Sequence, residues 1–157
     1  MKFSTQEEYG LRCLLQVARA SSEGASLSIP EISRLEGLTP THVAKLLMVL
    51  RRGGLILSTR GQAGGYVLTR PASEVYLGEA LALLGGRLYD PGFCSRHRGV
   101  FSSCAHEPSC SVRSVWEVVQ SAVDDVLDKI SLADLLSREG SLPFREGLVS
   151  LPMVGSR

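Results

Sequence analysis

Three of the chain's four cysteines, Cys94, Cys104 and Cys110, fall within seventeen residues. Their spacing is Cys-x9-Cys-x5-Cys. Thiolates are strong, soft ligands, so three converging from one loop could hold a metal ion or an iron–sulfur cluster. The closely paired cysteines of a structural zinc site are absent. The wide gaps suit a larger object with several irons; zinc and simple thiol redox chemistry are the alternatives. His97 and His106 lie inside the same stretch as further donors. A nucleophilic cysteine served by either histidine would be enzyme chemistry, but no acid partner and no glycine-rich substrate loop accompany them. The chain is therefore expected not to be an enzyme and to take no small-molecule substrate. Cys13 stands apart, off the apolar stripe of the first helical stretch, and reads as packing.

A second group of residues points to a different chemistry. Thr39, Thr41, His42 and Lys45 lie in the first turns of a helical stretch, away from its apolar stripe of Val43, Leu46, Leu47 and Leu50. Hydroxyls, amines and free backbone N–H groups at a helix N-terminus can donate to phosphates and base edges. Arg60 and Gly61 sit in a glycine-rich link, where an arginine has little structural purpose and is placed to reach a minor groove. Double-stranded DNA is the expected partner.

The charge distribution agrees. Net charge is only +1 over 157 residues, but residues 1–70 hold nine Lys/Arg and five acids while residues 71–157 hold eight and eleven. A basic first half joined to an acidic second half favours an anionic partner for the first. The N-terminus has two acids before its apolar stretch, unlike a secretory signal. The apolar runs fall far short of the ~20 residues a membrane span needs. A cytoplasmic location with reduced thiols is expected.

The elements that must position these residues follow from periodicity and punctuation. Leu11, Leu14, Leu15 and Ala18 predict a helix over 5–20. Ser28 and Glu31 are spaced as a capping box for a short helix over 29–35, ended by Gly37. Thr39 caps a third helix with Pro40 at its first position, closing in Arg51-Arg52-Gly53-Gly54. Two short strands, 55–58 and 65–68, flank the link TRGQAG and predict a hairpin with a basic tip. A further short helix carries Leu77, Ala80, Leu81 and Leu84. Residues 87–110 show no periodicity. A long helix over 111–129 follows, with Val112, Trp116, Val119, Val123, Val126 and Ile130 spaced as a heptad seam. At under three heptads it is too short for an isolated coiled coil and reads better as a helix pairing with its copy in a homodimer, with one long core helix of a monomer as the alternative. A last short helix over 131–137 and a loose tail over 138–157 complete the chain.

The expected fold is mainly α: a winged helix-turn-helix DNA-binding domain with a long C-terminal dimerisation helix. The expected division is a winged-helix domain over 1–86, a cysteine-rich cluster-binding loop over 87–110, a dimerisation helix and end helix over 111–137, and the tail.

Four stretches carry a resemblance: MKFSTQEEYGLRCLL, GLTPTHVAKLLMVLRRGGLI, the wing STRGQAGGYVLTRPASEVYLGEAL, and CAHEPSCSVRSVWEVVQSAVDDVLDKISLADLL. Together they cover about residues 1–137, and the chain resembles the IscR/NsrR/RirA-type family of bacterial regulators, the Rrf-two superfamily. That resemblance implies a homodimeric winged-helix transcription factor holding a [2Fe–2S] or [4Fe–4S] cluster on three loop cysteines near the subunit boundary. It makes Cys94, Cys104 and Cys110 the thiolate ligands. Some members place a histidine ligand three residues after the last cysteine; here that position is Arg113. Others use an acid on the first helix of the partner, and Glu8 occupies the matching position, with Glu7, His97 and His106 as competitors. The first inter-cysteine gap is longer than in several members. The function implied is transcriptional regulation, with repression the expected mode, set by a cluster that senses iron, redox state or nitric oxide. The alternative is a winged-helix repressor using its cysteines as a thiol switch or zinc site.

Overall fold

The computed structural model describes residues 4–61, 64–90, 92–104, 106 and 109–137. The expected loose tail lies outside them. Three helices open the chain: α1 (Thr5–Ser22), α2 (Ile29–Glu36) and α3 (Pro40–Arg52). Local chemistry fixes their ends. Ser4 and Glu7 form a capping box on α1, the Ser4 N–H donating to the Glu7 carboxylate at 2.7 Å. The Ser28 N–H and hydroxyl both donate to Glu31, at 2.8 and 2.6 Å, which holds that carboxyl below its usual range. Gly37, at φ 66°, ends α2 in a left-handed conformation that a side chain would resist. Thr39 caps α3 by accepting the His42 N–H at 3.3 Å.

Strands β1 (Ile56–Thr59) and β2 (Gly65–Leu68) pair antiparallel, Ile56 facing Leu68 and Thr59 facing Gly65. Leu27, between α1 and α2, bridges to Tyr66 and ties the hairpin to the helices. A 3-10 turn at Ala72–Glu74 leads to α4 (Leu77–Gly85), α5 (Phe93–Arg96), α6 (Ser111–Leu127) and α7 (Leu132–Leu136). The first strand lies one residue later than expected, because Leu55 turns fully into the core before pairing begins. The sequence pattern also missed α5, whose single turn is too short to show periodicity.

One core joins these elements. Leu14, Val17 and Ala18 of α1 meet Ile32 of α2 and Val43, Leu47 and Leu50 of α3. Val75, Ala80, Leu84 and Leu132 close it from α4, α7 and the turn before α4. The chain returns to this core after α6: the Leu77 N–H donates to Ile130 at 2.8 Å, and Leu132 to Val75 at 2.9 Å. Cys13 belongs to this core with no exposed surface, so its side of α1 is buried rather than off the stripe. Burial pushes its thiol up from 9.0 to about 11. No helix among the described residues is long and apolar enough to cross a membrane.

Candidate nucleic-acid interface and cysteine site

The start of α3 is held by a polar cluster the sequence pattern did not single out. Glu36, whose side chain is 7% exposed, accepts Arg12 Nε at 2.7 Å and Gln16 Nε2 at 2.6 Å, tying the end of α2 to α1. The Arg12 guanidinium lies 5.4 Å from the centre of the Tyr9 ring. Tyr9 meets the His42 ring edge-on, with centres 5.6 Å apart and planes at 78°. His42 is therefore half-buried and packed on α1, whereas Thr39, Thr41 and Lys45 are exposed. The one available signal was Arg12 itself, a charge inside an apolar stretch.

The wing is closed at its neck by Thr59. Its hydroxyl accepts the Gly65 N–H at 3.2 Å and donates to the Gly65 carbonyl at 3.3 Å. A Cβ on Gly65 would come within 2.6 Å of the Leu27 backbone, so the close approach requires glycine. Arg60 and Gly61 are exposed at the tip, Gly61 with φ 118°. In helix-turn-helix domains the N-terminus of the second helix is the part that meets the base edges of duplex DNA, and α3 is that helix here.

Two of the three clustered cysteines meet at the start of α6. Cys110 is the N-cap of α6, its sulfur accepting the Arg113 N–H at 3.4 Å. Cys104, His106 and Cys110 line one cavity of about 310 Å³, walled by Phe93, Val112 and Trp116. Cys94 is the neighbour of Phe93 on α5, beside Tyr89. Burial and that thiol both raise the Tyr89 phenol above its ordinary range. All three thiols are half-buried and free. Among the described residues, no three His, Cys, Asp or Glu side chains stand close enough together to hold a single metal ion.

The loop around Cys94 is nevertheless built. Asp90 accepts the Gly92 N–H at 2.6 Å and both Arg96 end nitrogens, at 3.1 and 2.5 Å, which hold its carboxyl below its usual range. His97 stacks on Phe93 at 4.1 Å, with Nδ1 2.8 Å from the Phe93 carbonyl. The Tyr89 N–H donates to buried Gln120 of α6 at 2.9 Å, and Gln120 donates to Asp124 at 2.8 Å. Arg87 pairs with the same Asp124. Of the two acids on α1, Glu7 is engaged in the helix cap and lines an apolar cleft between α4 and α6. Glu8 is exposed and lines neither cavity.

The donor set fits an iron–sulfur group in its chemistry. Two free thiols, Cys104 and Cys110, line one cavity at the start of α6 with His106, an N–H is aimed at the Cys110 sulfur, and Cys94 follows the cavity residue Phe93 on α5. Hydrogen bonds to sulfur are among the features that tune such groups.

The fold and its reading surface define a winged-helix transcriptional regulator. The profile of the Rrf2 family, described as an iron-dependent transcriptional regulator, matches residues 3–138, and the chain belongs to that family. Protein rrf2 of Nitratidesulfovibrio vulgaris is 33% identical over 90% of this chain and 91% of its own length. The regulator IscR of Serratia proteamaculans is 28% identical over 90% of this chain and 83% of its own. Among solved structures, IscR of T. potens superposes with TM-score 0.66 at 31% identity, covering 87% of each chain. CymR, the global cysteine regulator of B. subtilis, superposes with TM-score 0.67 at 30% identity, covering 87% of this chain and 97% of its own.

Proposed function

We propose that the protein is a homodimeric, cytoplasmic repressor whose DNA affinity is set by an iron–sulfur cluster held by Cys94, Cys104, Cys110 and Glu8 of the partner copy. The observation that carries this reading is the placement of Cys104 and Cys110 on one cavity at the N-terminus of α6, the long helix patterned for pairing. When bound, the cluster supplies an iron centre whose ligation answers to iron supply, redox state or nitric oxide. The chain's own residues do the rest. Thr39, Thr41, His42 and Lys45 present the start of α3 to a major groove. Arg60 and Gly61 reach the adjoining minor groove. A carboxylate from α1 is a weaker iron ligand than a thiolate and is readily displaced. Glu8 is the better candidate of the two acids, because Glu7 already holds the α1 cap. In this arrangement residues 1–86 act as the reading head, 87–110 as the sensing loop and 111–137 as the pairing segment.

A second reading keeps the fold and drops the cluster: the thiols act as a redox switch or bind zinc. The likeness to a global cysteine regulator favours it.

Anaerobic purification with iron and sulfide counting separates the two. The first reading requires a coloured protein whose iron is lost in Cys104→Ser and Cys110→Ser, and DNA binding that differs between loaded and iron-free protein. A colourless, iron-free wild type excludes it. Unchanged cluster yield and lifetime in Glu8→Ala removes Glu8 from the ligand set.

A further inference from the structure

The chain holds a single tryptophan, Trp116. It lies in the second turn of α6, is 42% exposed, and lines the same cavity as Cys104, His106 and Cys110. Phe93 faces the cavity from α5 and Val112 from the first turn of α6. Phe93 is fixed on both sides: its ring centre lies 5.4 Å from that of Tyr89 and 4.1 Å from that of His97. The cavity thus combines two kinds of surface. It presents two thiols and an imidazole together with an indole, a phenyl ring and a valine, and Ser109, Ser111 and Arg113 also line it.

We propose that Trp116, with Phe93, forms an apolar wall directly against the iron–sulfur group, shielding it from water and oxidants, so that the indole also reports whether the group is present. This rests on the cluster reading above. An apolar shell controls solvent access and local dielectric around a metal group, and so its potential and lifetime. Trp116 is a positioning and shielding residue here, with no ligand role.

The test uses the full chain, reconstituted anaerobically with ferrous iron and sulfide while visible absorbance and tryptophan emission are followed together. Emission should at least halve, in proportion to the rise in absorbance, because the absorbing group forms within contact distance of the indole. On exposure to air, and normalised to starting iron, W116F should bleach several-fold faster than wild type. V118A changes a residue of α6 that is 69% exposed and lines neither cavity, and should bleach at the wild-type rate. The proposal is overturned if the cluster assembles with emission unchanged. It is also overturned if W116F bleaches like wild type, or if V118A bleaches as fast as W116F. A wild type that takes up no iron overturns the cluster reading itself and this inference with it, and that result is told apart by the iron count.

Discussion

Arg60 stands in a glycine-rich turn, and among the described residues no hydrogen bond or ion pair holds its side chain. Arg60 is exposed there, and its expected contribution is to DNA alone. Arg60→Ala should weaken operator binding by about 1–3 kcal/mol without changing the melting temperature, as measured by fluorescence anisotropy and thermal unfolding. Lys45→Ala should weaken binding across all sequences and reduce the salt dependence by about one counterion. Cys13 gives the opposite case, a thiol with a purely internal role. Its ordinary value of 9.0 rises to about 11 in the fold, so the folded state favours the neutral thiol. The associated stability is complete below the unfolded value and is lost as pH climbs through the folded one. Denaturant titrations should therefore show wild type losing about 1.4 kcal/mol per pH unit more than Cys13→Ala over that window. The sequence pattern assigned Cys13 to packing correctly but placed it off the buried face. The buried arc of α1 is wider than one stripe, because α3, α4 and α7 all pack on it. His42 was harder to read, since its neighbour Tyr9 comes from a helix more than thirty residues earlier.

Among the elements, those with local end signals were the most legible. Ser28 with Glu31, Thr39 with Pro40, and Gly37 each act within one turn, and the helix limits they imply hold to within a residue or two. What local signals could not give was the attachment of the cysteine loop. It hangs on Gln120, a polar residue buried in α6 that accepts the Tyr89 N–H and donates to Asp124. Replacing it with leucine leaves that N–H unpaired. Gln120→Leu should cost about 1–3 kcal/mol and accelerate hydrogen exchange at the Tyr89 amide ahead of the α3 amides. The grouping of cysteines was likewise only half legible. Spacing marked all three, but only the folded backbone shows that Cys104 and Cys110 share a cavity while Cys94 sits beside its wall.

At the scale of the molecule, α6 carries more apolar surface than one chain covers. Val112 and Val115 are 58% and 56% exposed, while Val119, Val123 and Val126 line a cleft of about 650 Å³ against α4. A second copy on this face is the arrangement proposed above, and Val119→Glu should convert dimer to monomer in sedimentation while leaving the helical content intact. The monomer should also lose its preference for paired half-sites about 34 Å apart. The return of the chain after α6 has a mechanical consequence. The 17 residues of α6 span about 25 Å. One end is pinned to the reading head through the bond between Leu77 and Ile130, and the other carries Cys110. The helix is thus a lever arm with its fulcrum at the head. A displacement of roughly 2 Å at the Cys110 end corresponds to a tilt of only about 5° at the base, for an arm of that length. In the sensor proposed above, a shift of the cysteine loop at one end of this arm would turn the head by only a small angle at the other.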